Sequence, residues 1–136
     1  MDRLFLDANV LFSAAYRADA GVARLWSDDR WALVTSEYAI EEARRNLDQT
    51  EQLARLEELL RRLERLPSVS LAPEVRGEVE LREKDWPILA GAISANATHL
   101  ITGDRRDFGA YFGTELFGVL VLPPGDYLRR ADDGAT

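Results

Sequence analysis

DWPILAGAISANATHLITGDRRDF, residues 85–108, decides the fold. Pro87 suits a first helical turn, where its missing N–H costs nothing. Asp85 stands just before it, where a carboxylate can cap the helix and meet its positive end. Ile88, Leu89, Ala92 and Ile93 then recur at helical spacing. His99, Leu100, Ile101 and Thr102 make a short strand-like run that Gly103 stops. Asp104 follows at the C-terminal end of that strand, and Asp107 comes three residues later. Asp85 and Asp104 thus sit at opposite ends of one helix–strand unit and need a third element beside them before they can meet.

That element is at the start of the chain. Residues 3–6, Arg-Leu-Phe-Leu, read as an apolar strand ended by Asp7, and Asn9 is placed to cap a helix over 10–17. A second short helix is expected over 20–27. A strand follows over 31–35, and Ser36 can cap a helix over 37–47 with Tyr38, Ala39, Ala43 and Leu47 turned inward. Glu41 and Glu42 are adjacent on that helix, so only one can face the end of the first strand. Residues 51–66 read as the longest helix, with a stripe of Leu53, Leu56, Leu60 and Leu63 directed to the core. Glu51–Arg55, Glu57–Arg61 and Glu58–Arg62 are spaced as i,i+4 ion pairs along it. Further strands are expected at 69–71 and 118–122, with a turn or short helix at 108–112 and a terminal helical turn at 126–130.

Strands alternating with helices imply a single α/β domain: a Rossmann-like, parallel sheet of four to five strands covered by helices on both faces. In such sheets a site lies outside the C-terminal strand ends, where the strand order reverses.

Composition narrows the chemistry. The chain of 136 residues is 46% hydrophobic, enough for a packed core. No apolar run approaches the roughly 20 residues of a membrane span, so no membrane partner is expected. The acidic start lacks the features of a secretory signal, which makes the cytoplasm the expected location. With no cysteine and one histidine, disulfides, thiolate metal sites and zinc chemistry are set aside. The net charge of −7 argues against a broadly basic nucleic-acid surface, although clustered carboxylates that hold metal ions also lower the charge. Lys84 is the single lysine beside sixteen arginines.

The carboxylates form a pattern. Asp7 and Asp104 each follow a short apolar strand, so if those strands are neighbours the two acids face one crevice. Asp85 and Glu42 can line the same crevice. Four crowded carboxylates raise one another's pKa unless a cation sits among them. Oxygen-only ligands select Mg²⁺ or Mn²⁺, and such ions support hydrolysis of phosphodiesters. A phosphatase of the haloacid-dehalogenase type would want a second Asp two residues after Asp7, where this chain has Asn9.

Three stretches carry a resemblance: LFLDANVLFSA (4–14), SEYAIEEARRNL (36–47) and KDWPILAGAISANATHLITGDRRDF (84–108). Together they resemble a PIN-domain ribonuclease, over a span from Arg3 to Leu122. The resemblance implies strands one and four side by side and a metal-dependent endoribonuclease with RNA as substrate. It places the family's acids, catalytic and metal-holding, on Asp7, Glu42, Asp85 and Asp104. Asn9 and Thr102 match supporting polar positions, and Asp107 an additional acid. Arg44, Arg45, Arg105 and Arg106 are candidates for steering the RNA backbone. Small single-domain members resemble the toxin of VapBC-type toxin–antitoxin pairs, which implies an antitoxin partner and homodimers. A non-catalytic PIN-like module that binds RNA or protein is the alternative. The domain is expected over 1–130, with 131–136 a disordered tail.

Overall fold

A computed structural model describes residues 1–134. Its centre is a sheet of six strands in the order β3-β2-β1-β4-β6-β5. These are β1 (Asp2–Leu6), β2 (Trp31–Ser36), β3 (Glu64–Leu66), β4 (His99–Ile101), β5 (Glu115–Leu116) and β6 (Val119–Leu122). All pair in parallel except the β5–β6 edge. The helices are α1 (Ala8–Tyr16), α2 (Glu37–Arg45), α3 (Thr50–Leu60), α4 (Trp86–Ser94) and α5 (Pro124–Gly134). The expected juxtaposition holds: Phe5 of β1 pairs with Val34 of β2 on one side and Leu100 of β4 on the other.

β1 is apolar on both faces because both are covered. Leu4, Phe5 and Leu6 are fully buried, as a parallel strand between two layers requires. Gly91 lies in the middle of α4 for a related reason. A Cβ there would stand 2.7 Å from Cζ of Phe5, so a glycine lets the helix close on the sheet centre. The leucine stripe behaves as expected, with Leu56 and Leu60 buried and Leu53 and Leu63 packed against the core.

The long helix over 51–66 does not form as expected. α3 stops at Leu60, and Glu64–Leu66 becomes β3, pairing with Val34, Thr35 and Ser36 of β2. This strand replaces the one expected at 69–71. Hydrogen bonding along the free edge of β2 outweighs the local helical preference of these residues. The strand is polar, as an edge tolerates: Arg65 pairs with Glu37, and Glu64 with Arg3. The three i,i+4 pairs do not form, because their members take other partners. Arg55 donates to the Ala15 carbonyl, Arg62 to the Trp26 carbonyl, Glu57 accepts from Arg44, and Arg61 turns to Glu58.

Two other differences lie near the C-terminus. The β5–β6 hairpin was not foreseen, because its turn is Phe117-Gly118 and not the Asn-Gly or Asp-Gly usual there. Both turn residues have positive φ (53° and 85°), as a type I′ hairpin turn requires. Where a short turn and a tail from residue 131 were expected, α5 runs on to Gly134. Its Tyr127 and Leu128 are buried, and Arg24 holds Asp132. The last two residues of the expected tail, 135–136, lie outside the described residues. The segment expected as a helix over 20–27 is a 3-10 helix, Gly21–Ser27. Among the described residues, no helix is long and apolar enough to cross a membrane.

Candidate functional site

β1 and β4 deliver their acids to one cleft. The Asp7 N–H still donates to the Ile101 carbonyl at 3.0 Å, extending the β1–β4 ladder to the point where the carboxylate emerges. Asp7 is the cap of α1, a role expected for Asn9: its Oδ1 accepts from the Ala8 N–H at 2.6 Å. Asn9 lies inside the helix instead and serves as a bracket. It donates to Asp7 Oδ2 at 3.0 Å and to Thr102 Oγ1 at 3.2 Å, and its Oδ1 accepts from the Gly103 N–H. Thr102 is fully buried; its hydroxyl donates to Asp7 Oδ2 at 2.8 Å and accepts from the Asp104 N–H at 3.1 Å. Asn9 and Thr102 therefore fix Asp7 and the start of the Asp104 turn together. Burial still dominates the Asp7 carboxyl and pushes it up to about 6, against the lowering effect of Thr102 and Ala8, with the charges of Asp85 and Glu42 adding to the rise.

Glu42, on α2, lines the same cleft, whereas Glu41 turns away to Arg44 at 2.9 Å. Asp104 and Asp85 complete the wall of a cavity of about 620 Å³. Asp85 does not cap α4. It is the last residue of a 3-10 turn (Glu83–Asp85) with helical backbone angles, and its side chain makes no hydrogen bond to the first N–H groups of α4. Its Oδ1 accepts from Lys84 Nζ at 3.0 Å. Its Oδ2 is buried without a hydrogen-bond partner, and among the described residues no other buried side-chain nitrogen or oxygen is in that condition.

Asp107 is nearer the centre of the cluster than the sequence suggested. One oxygen each from Asp85, Asp104 and Asp107 lies within 4.8 Å of the others. Asp107 accepts from Arg82 at 2.8 Å and from Lys84 at 3.1 Å, and its N–H donates to Asp104 Oδ1. Burial drives the Asp85 carboxyl upward. It opposes ionisation of Asp107 too, but there the hydrogen bonds of Lys84 and Arg82 prevail and hold that carboxyl low. Lys84 was not singled out as a site residue. Its signal was present: the sole lysine of the chain, next to Asp85. The cleft wall also includes Phe12 and Asn46, which sequence reasoning missed because a single helical residue gives no spacing pattern.

The donor set consists of oxygen atoms only, contains an unpartnered buried carboxylate oxygen, and opens on a cleft. That combination suits a hard divalent cation. The basic candidates divide. Arg44 is held by Glu57 at 2.6 Å and by Glu41, so it is a structural tie between α2 and α3. Arg45, Arg105 and Arg106 are exposed. The tryptophans are core residues: Trp86 is buried, donates to the Leu81 carbonyl and lies under the Arg76 guanidinium at 4.4 Å.

Comparison with known proteins agrees with this architecture. A family model described as a PIN domain matches residues 3–106. No curated protein matches. Among solved structures, the chain is similar to one described as VapBC2 from Rickettsia felis bound to a DNA fragment from their promoter. The two share 16% identity with a TM-score of 0.63, over 89% of this chain and 98% of that one.

Proposed function

The chain belongs to the PIN-domain family, and from that premise we propose that it is a metal-dependent endoribonuclease. Asp7, Asp85, Asp104 and Glu42 hold Mg²⁺ or Mn²⁺, with Asp107 beside them. The observation that carries this reading is Asp85 Oδ2, a buried carboxylate oxygen with no hydrogen-bond partner, on a residue that lines the cleft together with Asp7, Glu42 and Asp104. Leaving such an atom unpaired costs about 1–3 kcal/mol or more for a charged group, and a cation in the cleft removes that cost.

When bound, a divalent ion supplies Lewis acidity at the phosphodiester and lowers the pKa of water. The rest is the work of this chain. Thr102 and Asn9 hold Asp7 Oδ2 in one orientation, so the ligand is positioned before substrate arrives. Burial shifts Asp7 and Asp85 upward in the metal-free chain, and a bound cation favours their ionised, ligating form. Arg45, Arg105 and Arg106 attract the phosphate backbone toward an otherwise acidic mouth. The likeness to VapBC2 supports a toxin role and a cognate protein partner for this chain as well.

The test is cleavage of single-stranded and hairpin RNA by the purified protein with Mn²⁺ or Mg²⁺, beside Asp104→Asn and an EDTA control. Cleavage that needs the ion and is lost in Asp104→Asn supports the proposal. Cleavage unchanged by Asp104→Asn overturns it, and absence of cleavage under every ion favours a binding module.

A further inference from the structure

Two of the three acids that converge within 4.8 Å divide their oxygens in the same way. Asp104 Oδ1 accepts from the Asp107 N–H, and Asp107 Oδ1 accepts from Arg82 Nε at 2.8 Å. Their second oxygens face one ammonium: Lys84 Nζ is 3.1 Å from Asp107 Oδ2 and 4.0 Å from Asp104 Oδ2. The third acid, Asp85, accepts from the same Nζ through Oδ1 at 3.0 Å, and its Oδ2 has no hydrogen-bond partner. Among the described residues, Lys84 is the only cation within 4.0 Å of all three acids.

The anchor of Lys84 is fixed and its charge is not. Its carbonyl accepts from the Tyr38 hydroxyl at 2.6 Å, and its backbone belongs to the 3-10 turn Glu83–Asp85. Its side chain is half-exposed and lines the cleft, so the flexible four-carbon stem has room to turn away from the acids. The same acids are the one group of three among the described residues whose oxygens lie close enough to hold a metal. An ion on them needs lone pairs that the ammonium now engages, and the two positive charges repel each other.

We propose that Lys84 is a placeholder: its ammonium holds Asp85, Asp104 and Asp107 together in the metal-free chain, and a divalent ion binds there by displacing it. The proposal rests on the metal reading above and adds what keeps the site closed when empty and what an ion must remove. Without a cation, three carboxylates at this spacing repel one another. Arg82 stays on Asp107 Oδ1 throughout, so Asp107 keeps its place while its other oxygen changes partner. The competition weakens the apparent metal affinity according to the fraction of time the carboxylates are free.

Lys84 is the only lysine, so the full chain grown with ¹⁵N-labelled lysine side chains gives a single ammonium resonance. Exchange of its protons with water is followed as Mg²⁺ is added, while calorimetry on the same sample establishes saturation. The expected result is slow exchange in the metal-free chain and exchange as fast as in free lysine once Mg²⁺ is bound. Slow exchange that persists at saturation overturns the proposal, as does fast exchange before any metal is added. Calorimetry with Mn²⁺ then compares wild type with Lys84→Met, which is similar in length and uncharged, after thermal melting shows that the variant is folded. Loss of a competitor that occupies the site most of the time should tighten Mn²⁺ binding about tenfold. An affinity unchanged or weaker in the folded variant overturns the proposal. The resonance experiment needs no substitution, so it decides the matter even if Lys84→Met does not fold. Absence of Mg²⁺ and Mn²⁺ binding at millimolar concentration sinks the metal reading and this proposal together, whereas binding with Lys84 still protected sinks this proposal alone.

Discussion

At the N-terminal ends of the strands, titratable groups close on one another. The Tyr127 hydroxyl donates to Asp2 at 2.7 Å, the Tyr127 ring meets His99 and Trp31 edge-on, and Thr98 hydrogen-bonds His99 Nδ1 at 2.8 Å. At the C-terminal ends, carboxylate oxygens of Asp85, Asp104 and Asp107 gather within 4.8 Å of one another instead, and Asp85 Oδ2 is left without a partner. The first arrangement is complete within the chain and ties α5 and β4 to the start of β1. The second becomes satisfied only with something added. Buried polar groups that saturate one another stabilise a fold, while those left unsaturated mark a place reserved for a ligand. His99, at the start of β4, belongs to the closed end.

The strongest way to break this contrast is to remove an acid from the open end. Asp104→Asn is expected to weaken Mn²⁺ affinity by more than about 100-fold, since even residues that only support a ligand cost 10–100-fold. Calorimetry on the two proteins checks it, and an unchanged affinity would mean that the two ends do not differ in kind.

The pH dependence of stability sharpens the same contrast, because the two ends titrate with opposite sign. The Asp7 carboxyl lies at about 6 in the fold against an ordinary value of 3.8. Its stabilising contribution is thus complete below about pH 4 and is lost as the pH rises through 6, by up to about 3 kcal/mol. Burial holds His99 below its ordinary value, so its contribution is present above about pH 6.5 and is lost as the pH falls. In a His99→Gln background, the melting temperature in EDTA should rise as the pH is lowered from 7.5 to 5, and Mn²⁺ at pH 7.5 should restore it. A melting temperature that falls over that range in the variant contradicts the upward shift of Asp7 and of Asp85, which titrates with the same sign.

A smaller effect is expected at the closed end. Tyr127→Phe removes one hydrogen bond and leaves Asp2, which is half-exposed, to water, so denaturant unfolding should show a loss of about 1 kcal/mol. Mn²⁺ affinity should not change. The smallest effect separates neighbours on α2. Glu41→Gln should alter stability by less than about 0.5 kcal/mol, since its pairing with Arg44 is at the surface. It should also leave Mn²⁺ binding intact, while Glu42→Gln weakens it. Equal behaviour of the two variants in the same titration would remove the reason for placing Glu42 at the cleft.

Much of the fold was legible because local signals agreed with the global arrangement. β1, β2 and β4 are short apolar runs ended by a polar residue, Ser36 caps α2 by accepting from the Ala39 N–H, and Pro87 opens α4. The parts that were not legible are those where distant residues outvoted local preference. Glu64–Leu66 left a helical pattern to pair with β2. Arg55 and Arg62 left their helix neighbours for carbonyls of other elements. The Phe117-Gly118 turn carries no usual hairpin signature.

The site divides along the same line. Which residues carry negative charge, and that Asp7 and Asp104 follow strands, is written in the order of the chain, because strand ends are local features. The sequence alone also excluded disulfides and thiolate metal sites, since the chain has no cysteine. Only the tertiary structure decided that Glu42 and not Glu41 meets the cleft, that Arg44 is tied to Glu57, and that Asp107 joins Asp85 and Asp104 around Lys84. The reason is physical: a charge announces itself in one dimension, but its partner is chosen by distance and burial, which exist only after the sheet has brought β1 and β4 side by side.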